Sequence, residues 1–288
     1  MTTTSRTETL TGRTVMVTGA TDGLGLETAR ELARRGARVI VHGRDAGRAA
    51  AARREIRASS GNDDVEVVLA DFASLHQVRM LADEVRGLTD ALHVLVDNAG
   101  VYQERRHLTE DGLETTFQVN HLAPFLLTSL LLDLLLAGAP SRIVVVSSGV
   151  HQSARVDLDD LQGERRYDGY SAYGLSKLGN LLFAYELAER LRGSGVTVNA
   201  LHPGAVATKL LRAGFRSSGG LSPRDGAQTA VYLAASPEVE GVTGKYFVDK
   251  RVASSSPASH SREVRAAFWQ RSELLAGLAG DEPASATA

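Results

Sequence analysis

The stretch Thr14-Val15-Met16-Val17-Thr18-Gly19-Ala20-Thr21-Asp22-Gly23-Leu24-Gly25 decides the fold. Its first half is apolar and β-branched, as in a short strand buried on both faces. Glycines then break the run, and an amphipathic helix is expected over 24–35. Gly19, Gly23 and Gly25 keep a G-x-x-x-G-x-G spacing at the join. A turn free of Cβ atoms lets backbone N–H groups and a helix N-terminus approach a pyrophosphate. Gly19, Thr21, Asp22, Gly23, Leu24 and Gly25 are therefore expected to hold a dinucleotide. The alternative is a plain tight turn in which the glycines are only steric.

The same rhythm continues outward. Apolar runs at 15–18, 39–41, 65–69, 94–96, 143–147, 196–200 and 246–248 read as strands. Helical patterns fill 24–35, 46–58, 75–86, 173–191 and 225–233. Strand, helix, strand at this spacing implies right-handed βαβ units. The expectation is an α/β, doubly wound, mostly parallel seven-stranded sheet with helices on both faces. It forms one domain over 11–279, with a flexible N-terminus (1–10) and a disordered tail (280–288).

Two stretches interrupt the pattern: 149–172, polar and charged, and 204–223, rich in Gly and Ser. Ligands bind where such segments follow strand carboxyl ends. The second is expected to be a mobile segment that closes over substrate. Gly204, Gly214, Gly219 and Gly220 would ease its rearrangement, while Leu210, Leu211 and Phe215 would offer an apolar face. Its alternative is a surface helix and loop that only pack.

Composition narrows the function. The chain has 288 residues, 43% of them hydrophobic, with 32 basic and 34 acidic side chains. That balance carries no electrostatic footprint for nucleic acid. No cysteine is present, which excludes disulfides, thiolate metal sites and cysteine nucleophiles, and no metal site is expected. The polar, threonine-rich start lacks the apolar core of a signal peptide. The most apolar stretch, 122–139, is interrupted by Pro124, Thr128, Ser129 and Asp133, so it reads as a buried or interface helix rather than a membrane span. A cytoplasmic protein without membrane or nucleic-acid partners is expected; a homodimer or homotetramer is left open.

Cofactor choice is read at the end of the second strand. NAD-preferring sites carry an acid there for the ribose 2′-hydroxyl. Here Gly43 and Arg44 stand instead, and an arginine suits a 2′-phosphate, so NADP is favoured over NAD. Asp45 follows at once and has an alternative use as a helix cap. Asp71, after the third strand, is expected to accept from the adenine amino group or to cap a helix.

The chemistry is expected at the other end of the cleft. Of Tyr167, Tyr170 and Tyr173, only Tyr173 has a lysine four residues later, Lys177. Residues i and i+4 share a helix face. A cation near a phenol lowers its pKa toward the working range of a general acid–base. Ser147-Ser148 ends the fifth strand and Asn98-Ala99-Gly100 the fourth. Asn120 lies in a helix that otherwise reads apolar, where a buried amide needs a partner. Singly, Ser148 reads as a loop hydroxyl and Asn120 as a satisfied core amide. Their joint occurrence in this order points to a site.

The ordered set TGATDGLG, DNAG, Asn120, Ser148, Tyr173-x-x-x-Lys177 and His202-Pro203-Gly204 resembles the short-chain dehydrogenases/reductases over about residues 10 to 275. The resemblance implies a Rossmann-like domain and hydride exchange between a nicotinamide and a carbonyl or alcohol. It makes Tyr173 the proton donor, Lys177 the ribose contact that depresses its pKa, Ser148 the orienter of the substrate oxygen and Asn120 the holder of a relay water. Asn98, Ala99, Gly100, Pro203, Gly204 and Thr208 would lie against the cofactor. Asp97 departs from the asparagine usual before Asn98.

The Gly43-Arg44-Asp45 end of strand two, FQVNHLAPFLLT and Gly244-Lys245-Tyr246-Phe247 look like the retinol-dehydrogenase-like branch. That branch implies bulky hydrophobic substrates, commonly with NADP. The chain is also similar to bacterial ketoreductases that tailor aromatic polyketides, including anthracycline side chains. The rival expectations are a non-catalytic NADP-sensing or scaffold protein on the same fold, or an NAD-linked alcohol dehydrogenase working in the oxidative direction.

Overall fold

β1 (Thr14–Val17) is buried along its length and pairs in parallel with β2 (Arg38–Gly43) on one side and β4 (Val94–Asp97) on the other. This is seen in a computed structural model, which describes residues 9–215 and 219–278. β3 (Val65–Leu69), β5 (Ser141–Val146), β6 (Val196–His202), β7 (Lys245–Val248) and β8 (Arg251–Val252) complete one sheet in the order β3-β2-β1-β4-β5-β6-β7-β8. The chain crosses from β3 at one edge to β4 in the middle. Strand order therefore reverses between β1 and β4, and a crevice opens at their carboxyl ends.

Eight strands, rather than the expected seven, form the sheet. β8 runs antiparallel to β7 and has only two residues, both exposed. It is reached through Asp249 and Lys250, which adopt φ of 48° and 62°. Positive φ at both central residues is the geometry of a two-residue hairpin, normally signalled by glycine or asparagine. Neither is present, so no hairpin signal was legible.

Helices cover both faces. α1 (Gly23–Arg34), α2 (Ala46–Ser60) and α9 (Pro223–Ala235) bury Leu32, Ala33, Ile56 and Ala230 against one face. α3 (Leu75–Leu88), α5 (Ala123–Leu130), α7 (Gly169–Arg190) and α11 (Arg262–Leu275) bury Val78, Leu126, Leu181 and Trp269 against the other. Side-chain caps set the starts: Asp22 for α1, Asp45 for α2, Ser74 for α3 and Asp168 for α7. The cap reading of Asp45 is therefore the one observed.

The apolar stretch 122–139 is not a single helix. α5 ends at Leu130 and α6 (Leu132–Ala137) follows. It is preceded by α4 (Thr115–Phe117) and a π-turn, Gln118–Leu122. Pro124 has no N–H and its ring crowds the carbonyl four residues back, that of Asn120, so an α-turn is disfavoured there. No helix among the described residues is long and apolar enough to cross a membrane. At the N-terminus Leu10 is buried, with its N–H 2.7 Å from the Arg35 carbonyl. The rest of the N-terminus read as flexible, residues 1–8, and the tail at 280–288 lie outside the described residues.

Candidate active site

A cleft of about 900 Å³ opens at the carboxyl edge of the sheet. Every site residue expected from the sequence lines it except Asn120. The glycine turn, Arg44, Asp71 and Asn98–Gly100 form one end; Ser148, Tyr173, Lys177, Pro203, Gly204 and Thr208 form the other.

The glycine turn is shaped by packing as much as by ligand approach. Gly19 adopts a φ of 62°, and a Cβ there would sit 2.8 Å from Ala99 Cα. At Gly25 a Cβ would collide with Asn98 Nδ2 and the Gly19 carbonyl. Asn98 closes the turn by donating from Nδ2 to the Thr18 carbonyl at 2.8 Å. Thr18 Oγ1 accepts from the Asn98 and Ala99 N–H groups at 2.9 and 3.0 Å. The first N–H groups of a helix have no partner within it. That of Gly23 goes to the Asp22 carboxylate at 2.8 Å. Those of Leu24 and Gly25 have no backbone acceptor among the described residues and line the cleft. They fit a pyrophosphate.

Asp22 brings a carboxylate to this anion site, and two cations face it. Lys209 Nζ is 2.8 Å from Oδ2 and Arg48 Nη2 is 3.2 Å away. The hydrogen bond from Lys209 is the main cause that holds the carboxyl below its usual range. Asp22 is thus first a helix cap and a counter-ion. Arg44 is exposed on the cleft wall, and Arg48 stands one turn into α2 beside it. Arg48 was not singled out from the sequence, where it reads as an ordinary solvated helix arginine. Asp71 Oδ1 accepts from the Ala73 N–H at 2.9 Å, a local turn, while Ser74 caps α3.

His42, unmarked in the sequence, ties the turn to the sheet. Its Nδ1 accepts from the Gly19 N–H at 3.2 Å, so Nε2 carries the proton and donates to the Ala70 carbonyl at 3.0 Å. Burial pushes its pKa down to about 4, and the ring stacks on Phe72 at 4.4 Å.

At the chemical end, α7 places Tyr173 and Lys177 one turn apart, both buried, with Ser148 two residues past the end of β5. Burial pushes the Tyr173 phenol up to about 12, opposed by its hydrogen bond with Ser148. Burial also pushes Lys177 down to about 8. The ammonium donates to the Val146 carbonyl at 3.1 Å and lies 5.7 Å from the centroid of the Tyr173 ring. The expected depression of the tyrosine by this lysine is therefore absent in the protein alone. Desolvation outweighs a cation that is turned toward a carbonyl.

Asn120 sits outside the cleft wall, fully buried in the π-turn. Its Oδ1 accepts from the Val101 N–H at 2.7 Å; its Nδ2 donates to the Val101 carbonyl and Ser176 Oγ, each at 3.0 Å. The side chain is fully engaged, and its backbone carbonyl lacks the usual i+4 donor because Pro124 has no N–H. Tyr167 is also removed from the chemistry: its hydroxyl lies 3.0 Å from the Gln103 carbonyl and 3.1 Å from the Glu114 carboxylate, two acceptors that share its one proton. Among the described residues no cluster of His, Cys, Asp or Glu could hold a metal ion.

The segment 204–223 forms part of the wall. A bridge between Val206 and Leu221 closes its base. Between them α8 (Lys209–Phe215) presents Leu210 and Leu211 to the cleft. A Cβ at Gly214 would lie 2.8 Å from the Tyr102 ring, so the helix backbone rests on Tyr102. The Phe215 side chain and residues 216–218 lie outside the described residues.

Comparison with known proteins agrees with this geometry. The sequence profile described as short chain dehydrogenase matches residues 13–217. Retinol dehydrogenase 14 from Homo sapiens is 44% identical, over 93% of this chain and 87% of its own. The crystal structure of an uncharacterized protein from Mycobacterium Paratuberculosis superposes with a TM-score of 0.79 at 35% identity, covering 93% of this chain and 95% of that one. Pseudomonas aeruginosa RhlG, solved as an active-site complex with NADP, gives 0.69 at 27% identity, covering 83% and 95%. The chain belongs to the short-chain dehydrogenase family, in its retinol-dehydrogenase-like branch, and is an oxidoreductase that uses a nicotinamide cofactor.

Proposed function

We propose that the protein is an NADP-dependent oxidoreductase that interconverts a carbonyl and an alcohol on a bulky, mostly apolar substrate. The carrying observation is the cluster of Ser148, Tyr173 and Lys177, buried together at the chemical end of one large cleft. When bound, the nicotinamide supplies or accepts the hydride. Tyr173 gives the proton to the carbonyl oxygen in reduction and takes it from the alcohol in oxidation. A phenol with its pKa pushed up to about 12 is fully protonated at neutral pH, the form a reductive proton donor needs. Ser148 accepts from or donates to the same substrate oxygen and keeps it in line with Tyr173. Lys177, beside the Val146 carbonyl, would hold the ribose, and Asn120 would serve the water of a proton relay.

NADP rather than NAD is supported by Arg44 and Arg48 on the wall at the end of β2, where Gly43-Arg44 stands in place of an acid and Asp45 is spent as a helix cap. The NADP complex of the Pseudomonas aeruginosa relative agrees with this choice. Val101, Tyr102, Val150, Leu210 and Leu211 give the substrate end apolar walls. The relatives named retinol dehydrogenase favour a long apolar alcohol or its aldehyde as the substrate class. An aromatic polyketide ketone fits the same walls and is tested alongside it. A sensor has no use for a buried phenol, lysine and hydroxyl at the nicotinamide end.

The test is NADPH oxidation against a panel of long-chain aldehydes, retinal and aromatic ketones, with NADH in parallel. Turnover with NADPH on bulky apolar carbonyls is expected. Binding of NADPH without turnover of any carbonyl or alcohol would favour the sensor.

A further inference from the structure

Beside the catalytic serine stand two histidines, one buried and one part-buried, that the proposed chemistry does not use. His151 lies in the 3₁₀ turn Gly149–Ser153 directly after Ser148, and its side chain is fully buried. Its Nδ1 is 2.6 Å from the Ser148 carbonyl, and its Nε2 accepts from the backbone N–H of Ser256 at 3.2 Å. A backbone N–H can only donate, so Nε2 is bare and the proton sits on Nδ1, donating to Ser148. His202 ends β6, and its Nδ1 accepts from the Gly149 N–H at 3.1 Å. That nitrogen is bare too. Burial holds both rings below the usual histidine range.

The Ser148 carbonyl and the Gly149 N–H are the two ends of one peptide group. One imidazole donates to its oxygen and the other accepts from its nitrogen. We infer that His151 and His202 are positioning residues that lock the Ser148–Gly149 peptide plane and thereby aim the Ser148 hydroxyl at Tyr173. Rotation of that plane changes ψ of Ser148 and swings the chain that follows. The Val150 N–H, 3.4 Å from Ser148 Oγ, would move with it, releasing the hydroxyl from its place beside the phenol. Either ring alone leaves one end of the plane free; the two together fix its rotation.

The clamp also brings a distant segment to the site. The Tyr246 ring of β7 meets His151 edge-on at 5.0 Å. Ser256 lies more than a hundred residues from Ser148 in the chain, and its neighbour Ser254 accepts from Gln152 Nε2 at 3.1 Å through its carbonyl. Ser255 bonds the Tyr185 hydroxyl of α7 at 2.8 Å. The stretch between β8 and α10 (Pro257–His260) is thus fastened to the catalytic turn and to the catalytic helix at once. This explains a use for a Ser-rich stretch that carries no motif of its own.

The inference rests on the proposed reaction, and its test separates the two. In the full-length holoenzyme, His151→Asn and His202→Asn place an amide group near the former Nδ1 and can restore the donor or the acceptor. His151→Leu and His202→Leu cannot. The leucine variants are expected to lose kcat by about 10- to 100-fold, the size of one lost orienting hydrogen bond. The KM for NADPH should change less than kcat, because the clamp acts on the Ser148–Gly149 peptide and not on the glycine turn that fits the pyrophosphate. The asparagine variants should recover most of kcat. Leucine variants with wild-type kcat, or asparagine variants as impaired as leucine ones, overturn the inference. A second measurement does not depend on turnover or on the variants folding. Nitrogen-15 NMR of histidine-labelled wild-type protein should show His151 protonated on Nδ1 and His202 on Nε2. The opposite tautomer at either ring overturns the clamp even if the protein is an active reductase. The expected tautomers in a protein that turns over no carbonyl would leave the clamp standing and remove the reaction.

Discussion

Lys177 Nζ lies 5.7 Å from the centroid of the Tyr173 ring, yet its hydrogen bond runs to the Val146 carbonyl. The pair is assembled but not coupled in the protein alone. Burial leaves the phenol pushed up to about 12 and the ammonium down to about 8. This arrangement favours the protonated phenol, and hence reduction, until a positively charged oxidised nicotinamide adds a cation beside the ring.

Reduction and oxidation should therefore differ in their pH dependence. Reduction needs the protonated phenol and should be level from about pH 6 to 8. Oxidation needs the phenolate and should still be rising at about pH 9. Initial rates in both directions over that range check this. An oxidation rate already level at neutral pH would show that the phenol titrates far below the range its burial sets.

Arg44→Ala should weaken NADPH use and spare NADH, since only NADPH carries the 2′-phosphate. One charge-assisted hydrogen bond to a phosphate corresponds to a loss of roughly 10- to 150-fold in kcat/KM. Arg48 stands beside it but also faces Asp22 at 3.2 Å, so its replacement should cost less. Equal losses with both cofactors in Arg44→Ala would assign the 2′-phosphate to another side chain.

Asp97 is buried, and its Oδ1 has no partner; Oδ2 accepts from Thr128 at 2.9 Å. Burial pushes its pKa up to about 7 from an ordinary 3.8. The folded state thus binds a proton that the unfolded chain has released, and stability falls as pH rises from about 4 to about 7. Asp97→Asn removes that penalty. It should raise Tm at pH 8, with a ceiling of about 4 kcal/mol, and change little at pH 4. Thermal melts at the two pH values decide it; an equal shift at both would mean that the carboxyl is not charged when buried.

The wall segment offers a kinetic test. Lys209 Nζ reaches Asp22 at 2.8 Å, and Gly214 rests on Tyr102, so α8 spans from the glycine turn to the substrate end. Exposed ion pairs contribute little, about 0–1 kcal/mol. Amide hydrogen exchange over 207–215 should accordingly be fast without ligand and slow with NADP and product. Full protection without ligand, or no change when both bind, would leave this segment a packing role only.

Much of this was legible beforehand because the signals were local. The turn at Gly19–Gly25, the strand ends at Asn98 and Ser148, and the i,i+4 pair Tyr173 and Lys177 are each written within a few residues. The mostly parallel sheet with helices on both faces followed from alternating strand and helix patterns. What escaped was set by contacts between distant residues. His42 and His151 carry no motif of their own and His202 stands out only as the first residue of His202-Pro203-Gly204; only the tertiary fold shows the backbone groups that they hold. Asn120 was found, but its amide is spent on Val101 and Ser176, which no spacing announces. The Tyr173 pKa went the other way because desolvation in the folded site, invisible in a four-residue spacing, outweighs the nearby charge.

The most direct measurement is single-turnover NADPH oxidation by Tyr173→Phe with a bulky aldehyde, alongside NADPH binding by fluorescence. Phenylalanine keeps the ring and its burial and removes only the hydroxyl that carries the proton. Removal of a general acid is expected to cost about 10²- to 10⁴-fold in the chemical step, with NADPH affinity close to that of the wild type. Chemistry at near wild-type rate in this variant would contradict the assignment of Tyr173 as the proton donor.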